Sequence, residues 1–149
     1  MATTNFTTTI IVDNSASEAF NAINNVRAWW QGEIEGNTNK LNDEFTYRMD
    51  EIHYSKQKIV ELLPNEKVAW LITDSKLNPS KFKDESEWTG TKILFEISEA
   101  NNKTQVTFTH VGLVPTFECY GDCSWAWGAL IQESLFSLIT TAKGTNVFG

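Results

Sequence analysis

Hydrophobic and polar residues alternate with a period of two through several segments of this chain, which predicts β-strands. The opening segment 6–12, FTTTIIV, is rich in β-branched residues and is typical of a strand with one buried face. The same alternation predicts five further strands, over 44–49, 52–63, 67–73, 91–98 and 104–110. Asn101-Asn102 and Pro64-Asn65 are turn-forming pairs between consecutive strands, so hairpins are expected there.

Two short helices are predicted between the first strand and the others. Ser15 and Glu18 have the spacing of a capping box, in which each side chain accepts a backbone N–H of the other residue. Apolar residues then follow at helical spacing until Asn24-Asn25 interrupts them. A second short helix is expected over 26–30, and Gly32 ends it.

The C-terminal part of the chain has the 3.6-residue period of one long helix from Tyr120 to Gly144, with the glycine at the C′ position. Its predicted apolar stripe is Trp127, Ile131, Ser134, Leu138 and Ala142. The segment 74–90 is polar, lacks periodicity and contains Asn78-Pro79, so it is predicted to be a long loop of the kind that often acts as a functional lid. This order of elements indicates an α+β fold with helices packed on an antiparallel sheet.

Composition and net charge limit the kinds of molecule that the protein is expected to bind. The 149 residues, 41% of them hydrophobic and 21% charged, are typical of one globular domain spanning 1–149. With 12 basic and 19 acidic residues the net charge is −7, which argues against nucleic acid and against an anionic membrane surface as partners. No apolar run reaches the ~18 residues of a membrane span, and the N-terminal residues do not resemble a signal peptide, so a cytoplasmic location is expected.

The cysteines and histidines are the candidates for chemistry. Cys119 and Cys123 are four residues apart, a spacing poorly suited to a disulfide on a helix, so free thiols are expected, with a redox or metal pair as the alternative. The two histidines lie far apart in the sequence, and no metal or cofactor site is predicted. His110 is either a polar anchor in a pocket wall or bonded to backbone, and a nucleophilic pair with a cysteine stays open. His53 is expected to face solvent.

Four segments of the chain resemble the START-like superfamily, also called SRPBCC or the birch-allergen fold. They are SASEAFNAI, WW, WTGTKILFEI and THVGLVPTFECYGDCSWAWGALIQESLFSLITTAKG. Within it the chain is most similar to the group named after the activator of heat-shock protein 90 ATPase. The resemblance implies a helix-grip fold, in which a curved antiparallel sheet of six or seven strands wraps the long C-terminal helix and leaves a cavity. It also implies binding of lipids, sterols, polyketides or flavonoid-type aromatics.

The cavity implied by this resemblance gives the aromatic residues, 12% of the chain, a functional interpretation. We expect one ring of Trp29 and Trp30 to pack inside and the other to lie at the cavity mouth. The predicted polar anchors are His110 and Ser134. The other predicted wall residues are Trp30, Phe45, Tyr47, Trp70, Phe95, Phe108, Trp127, Ile131 and Leu138. Two other functions stay open: a co-chaperone-like module acting on a heat-shock ATPase in a stress response, and a cyclase- or hydrolase-type enzyme.

Overall fold

Seven antiparallel strands form a single sheet in the computed structural model of the chain, which describes residues 5–50, 53–77, 83 and 86–147. The strand order is β1-β7-β6-β5-β4-β3-β2, so β1 and β2 are the edges. The bounds are β1 Phe6–Val12, β2 Glu33–Gly36, β3 Glu44–Met49, β4 His53–Leu63, β5 Lys67–Leu77, β6 Lys92–Ala100 and β7 Lys103–Val111. The predicted α+β class with an antiparallel sheet is confirmed.

The sheet bends around its inner face at the pairing of its two longest strands. β4 and β5 have 11 residues each, and their register shifts between Lys56 and Gln57 and again between Ile59 and Glu61. Such bulges bend a strand and increase its local twist. The inner face thereby becomes concave and receives the helices.

The two short helices lie where the period predicts them. α1 spans Ala16–Asn24, and its capping box forms, because the Glu18 N–H donates to Ser15 Oγ at 3.1 Å and the Ser15 N–H donates to Glu18 Oε1 at 3.2 Å. α2 spans Val26–Trp29, one residue shorter than predicted. Both helices place buried residues against the concave face of the sheet.

The C-terminal helix is interrupted by a π-helical segment. It consists of α3, Tyr120–Ala129, a π-helical turn over Leu130–Leu135, and α4, Phe136–Thr141. A π-turn inserts an extra residue and changes which side chains face inward beyond it. Past the insertion the predicted stripe is therefore wrong at Ala142, which is exposed, and Leu138 is only half-buried.

The helix ends at Ala142, whose φ of 68° is left-handed, and Gly144 is not its C′ residue. Gly144 is instead a point of close approach, because a Cβ there would lie 2.1 Å from the carbonyl oxygen of Ala28. The next residue, Thr145, donates its N–H to Ser134 Oγ at 3.1 Å. The segment that follows the helix therefore packs against α2 and is hydrogen-bonded to the helix itself.

The loop predicted over 74–90 begins later than expected. β5 continues to Leu77, because Ser75 pairs with Ser55 and the buried Leu77 pairs with His53. The long partner strand supplies hydrogen bonds that local composition does not reveal. Asn78-Pro79 and Ile52, which also entered the predictions, lie outside the described residues.

Replacing Ala142 with glycine should stabilise the protein by roughly 1 kcal/mol, because glycine adopts the left-handed conformation without the steric cost that a Cβ incurs. Urea unfolding measures the change. The matched control is Ala129→Gly within the helix, which should destabilise by about 1 kcal/mol. A loss of stability in Ala142→Gly would contradict the assigned helix end.

Candidate ligand-binding cavity

The adjacent tryptophans at the end of α2 both turn inward. Trp29 and Trp30 are only 1% and 2% exposed, and their rings lie nearly parallel with centroids 6.2 Å apart. The expectation of one ring at a solvent-exposed mouth is therefore wrong. The physical reason is the helix end between them: Trp29 is helical, whereas Trp30 has an extended backbone with φ −89° and ψ 101°. Helical spacing no longer separates the two side chains.

Two rings of the sheet lie nearly parallel to the Trp30 indole. It stacks on Tyr47 with centroids 4.0 Å apart and lies parallel to Trp70 at 6.1 Å. Tyr47 also donates its hydroxyl to the carbonyl of Gln31 at 2.5 Å. Gly32 permits this approach, since its φ is 145° and a Cβ there would lie 2.5 Å from the Tyr47 ring.

Aromatic rings fill the centre of the space between the sheet and the helices. Phe45 meets Trp70 edge-on at 5.1 Å, and Phe95 meets the same indole at 5.3 Å. Phe108 packs against Trp127 with centroids 4.7 Å apart. These contacts are core packing, so the centre does not form the open hollow expected along the whole helix.

An open cavity of about 530 Å³ lies at one end of the fold, where β3 and β5 end, β4 begins and the first half of the C-terminal helix passes. Its wall contains four tryptophans, Tyr47 and His53. Three wall residues are exposed and form its rim: Asp50, Asp122 and Trp125, the last 62% exposed. The described wall residues are Trp30, Tyr47, Met49, Asp50, His53, Leu77, Trp88, Asp122, Cys123, Trp125, Ala126, Trp127 and Leu130.

Three of the predicted wall residues, Trp30, Tyr47 and Trp127, line this cavity, and their role in binding stays a prediction. The remaining predicted residues lie elsewhere, in the core or hydrogen-bonded behind the wall: Phe45, Trp70, Phe95, Phe108, His110, Ile131, Ser134 and Leu138. The prediction missed Trp88, although a tryptophan within a polar segment was an available signal.

His110 is buried with both ring nitrogens occupied. Because the Trp127 indole can only donate, its Nε1–H donates to His110 Nδ1 at 3.1 Å. His110 Nε2 then carries the proton and donates to Thr91 Oγ1 at 2.7 Å, and that hydroxyl donates to the Trp88 carbonyl at 2.5 Å. Burial, with a smaller effect of His53, lowers the pKa of His110 to about 3. The histidine therefore braces the cavity wall and is not a free anchor; its partners are side chains and not backbone.

Ser134, the second predicted anchor, is also occupied. Its hydroxyl donates to the Trp29 carbonyl at 2.8 Å and accepts the Thr145 N–H at 3.1 Å. The side chain is buried in the π-helical turn. It joins three separate segments of the chain and has no contact with the cavity wall.

His53 and Trp88 place unsatisfied polar atoms in the wall. Their rings meet edge-on with centroids 4.6 Å apart. Both His53 Nε2 and Trp88 Nε1 are buried with no hydrogen-bond partner among the described residues. Burial lowers the pKa of His53 to about 4, so its ring is neutral near pH 7. The expectation that His53 faces solvent is wrong for this end of its ring.

Both cysteines are buried with free thiols, and Cys123 lies in the cavity wall. A hydrogen bond with Cys119, together with burial, raises the pKa of the Cys123 thiol, which keeps it protonated and a poor nucleophile. Since both His110 nitrogens bond elsewhere, the cysteine–histidine pair considered above does not form. Within the described residues, no group of three or more histidine, cysteine or acidic side chains could hold a metal ion.

A carboxylate fastens the segment that carries Trp88 to the start of the C-terminal helix. Glu87 accepts the backbone N–H of Glu118 at 2.9 Å and that of Cys119 at 3.2 Å. Negative charge is favourable at this end of a helix, where N–H groups lack partners. The Glu118 carboxylate in turn accepts the Lys83 N–H at 3.0 Å. These contacts keep the Trp88 indole inside the fold, a role that sequence patterns did not indicate.

A curved antiparallel sheet around a long C-terminal helix, with a cavity at one end, defines a helix-grip fold. The Aha1 dimer of Colwellia psychrerythraea matches the fold with a TM-score of 0.75 and 23% identity over 95% of this chain and 99% of that one. Protein SSP2350 of Staphylococcus saprophyticus matches with a TM-score of 0.69 and 14% identity over 96% of both chains. CalU16 of Micromonospora echinospora matches with a TM-score of 0.62 and 12% identity over 90% of this chain and 73% of that one.

At these identities the likeness shows the fold, and the predicted resemblance to START-like proteins is confirmed at that level. No protein-family model matches the chain, and no curated protein does. In the described part of the chain, no helix is both long and apolar enough to cross a membrane.

Two histidines, the buried His110 and the half-buried His53, make stability dependent on pH. Their pKa values fall from 6.5 to about 4 and about 3 on folding, so the unfolded chain binds protons that the folded chain cannot. The stability is complete above pH 6.5 and declines as the pH falls from there toward 4, by up to about 2 kcal/mol per histidine at pH 5. Urea unfolding at pH 7 and pH 5 measures this loss.

The His53→Gln variant is the matched control, because it removes one of the two titrating rings. It should reduce the loss between pH 7 and pH 5 by about half. Imidazole NMR signals that titrate near pH 6.5 in the folded protein would contradict the neutral, buried state of the rings.

Proposed function

We propose that the protein binds a small apolar or aromatic molecule in the cavity at the end of the sheet. The observation that supports this most directly is a cavity of about 530 Å³ with four tryptophans, Tyr47 and His53 in its wall. Ligand sites are typically concave, mainly apolar and several hundred Å³ in volume. Indole rings offer broad apolar surfaces, so a flat ligand can pack against them.

Binding would be driven by the apolar contact area, at about 25 cal/mol per Å² removed from water, against the cost of immobilising the ligand. We expect dissociation constants on the order of micromolar. Sterols, lipids, polyketide-like aromatics and flavonoid-type molecules are the candidate classes. We place the protein in the cytoplasm, since its two free thiols suit a reducing compartment.

A partner-binding role is the second candidate. It is supported by the likeness to Aha1 and by the exposed Trp125 on the C-terminal helix, since exposed tryptophans are frequent at protein interfaces. Under this proposal the chain would change the hydrolysis rate of a purified heat-shock 90-type ATPase, and Trp125→Ala would reduce that change. An enzymatic role has less support, because His110 is fully hydrogen-bonded and the Cys123 thiol stays protonated.

The Ala126→Phe variant should block ligand binding. Ala126 is a half-buried wall residue on α3, and a phenyl ring in its place would occupy cavity volume. The binding of the best ligand from a panel of sterols, fatty acids, flavonoids and polyketide-like aromatics, followed by tryptophan fluorescence, should weaken by at least about tenfold.

The Ala129→Phe variant is the control, because it adds the same ring to the same helix at a half-buried position outside the cavity wall. It should keep the affinity within about twofold, and urea unfolding of both variants checks that each is folded. Saturable binding that Ala126→Phe leaves unchanged would place the ligand elsewhere. The absence of saturable binding across the panel would favour the partner-binding role.

A further inference from the structure

The charged side chains in the described part of the cavity wall all have one sign. Among its described wall residues, the only side chains that carry charge near pH 7 are the carboxylates of Asp50 and Asp122, both exposed at the rim. No lysine or arginine belongs to this set. His53, the one imidazole in the wall, is neutral because burial lowers its pKa to about 4.

Both carboxylates act on groups inside the cavity. Burial raises the pKa of Tyr47, and the negative charge of Asp50 raises it further. The charge of Asp122 likewise adds to the effects of Cys119 and of burial that raise the pKa of Cys123. Each affected side chain lines the cavity, so the two carboxylates lie close enough to the wall to interact with a ligand there.

The faces of the aromatic wall reinforce this preference. An aromatic ring carries negative charge density on its faces, and indole attracts a cation more strongly than the rings of tyrosine and phenylalanine do. The rings of Trp88 and Trp127 lie nearly parallel with centroids 5.7 Å apart, and Trp30 meets Trp127 at 5.0 Å. The wall thus offers aromatic surface beside carboxylates, and aromatic side chains are a common means of binding organic ammonium groups.

We propose that the natural ligand of this cavity is an organic cation, an aromatic or alkyl amine whose apolar part stacks on the indoles while its ammonium group lies at the rim near Asp50. The overall charge of −7 adds a weaker, long-range attraction for the same class. A carboxylate ligand such as a fatty acid would meet two like charges and no basic partner in the described wall. This inference rests on the proposed binding function and makes its ligand class specific.

Three probes of one shape separate the possible ligand charges: 1-naphthylmethylamine, 1-naphthalenemethanol and 1-naphthoate. Each is titrated into the full chain at pH 7.5 and low salt, and the NMR signals of the tryptophan indole N–H groups report where it binds. We expect the amine to bind about five- to tenfold more tightly than the alcohol, and the carboxylate most weakly. Raising the salt to about 0.5 M should reduce the advantage of the amine to about twofold.

Asp50→Asn removes the rim charge while keeping the turn, because Asp50 has a φ of 49° and asparagine favours that left-handed conformation. It should lower the affinity for the amine by about three- to fivefold and leave that for the alcohol unchanged. Glu99→Gln is the matched control, since it removes one exposed carboxylate near the C-terminal end of β6, and this residue is not among the described wall residues of the cavity. It should leave all three affinities within about 1.5-fold.

The possible results are distinct. An alcohol or carboxylate that binds as tightly as the amine would overturn the proposed ligand class and leave the binding function standing. An equal effect of Glu99→Gln and Asp50→Asn would also overturn it, because the attraction would then be a property of the whole surface. If none of the three probes saturates, the proposed ligand class fails, and the panel of sterols, fatty acids, flavonoids and polyketide-like aromatics decides the binding function separately. If Asp50→Asn does not fold, the order of the three affinities for the unchanged protein, and the effect of salt on that order, still test the proposed ligand class.

Discussion

The stacking of Trp30 on Tyr47, with Trp70 parallel to the same indole, is the contact on which the rest of the structure depends. It fastens the end of α2 to the concave face of the sheet and fills the centre of the fold with aromatic rings. Because this centre is packed, the space left by the curved sheet is displaced to the end where β3 and β5 finish. Trp30 closes the inner side of that space, so the same ring belongs both to the core and to the cavity wall.

A series of hydrogen bonds between different elements keeps the cavity wall in place. The chain from Trp127 through His110 and Thr91 to the Trp88 carbonyl joins α3, β7 and the segment before β6. Glu87 fastens that same segment to the helix start. Buried polar groups usually find partners within the protein, and these bonds connect the Trp127 indole to the backbone of Trp88, whose own indole N–H has no partner among the described residues.

Some features could be predicted because their causes are local. The capping box of Ser15 and Glu18 depends on residues three apart, and the alternation in β1, β6 and β7 follows from burial on one face. The motifs that resemble START-like proteins also indicated the correct fold, since the order of elements limits how a sheet can wrap a helix. The polar inner face of β4, with Ser55 and Gln57 buried, could not be recognised from its composition.

The amino-acid sequence alone determined the strands, the capped first helix, the acidic charge and the supply of aromatic rings, because each depends on neighbouring residues or on composition. The tertiary structure alone decided which rings fill the core and which line the cavity. That choice depends on the helix end between Trp29 and Trp30, the π-turn at 130–135 and the approach of Gly32 to Tyr47. Each of these departs from regular helix or strand geometry and changes where a side chain lies. Hydrophobic periodicity cannot predict such changes, because it assumes regular geometry throughout an element.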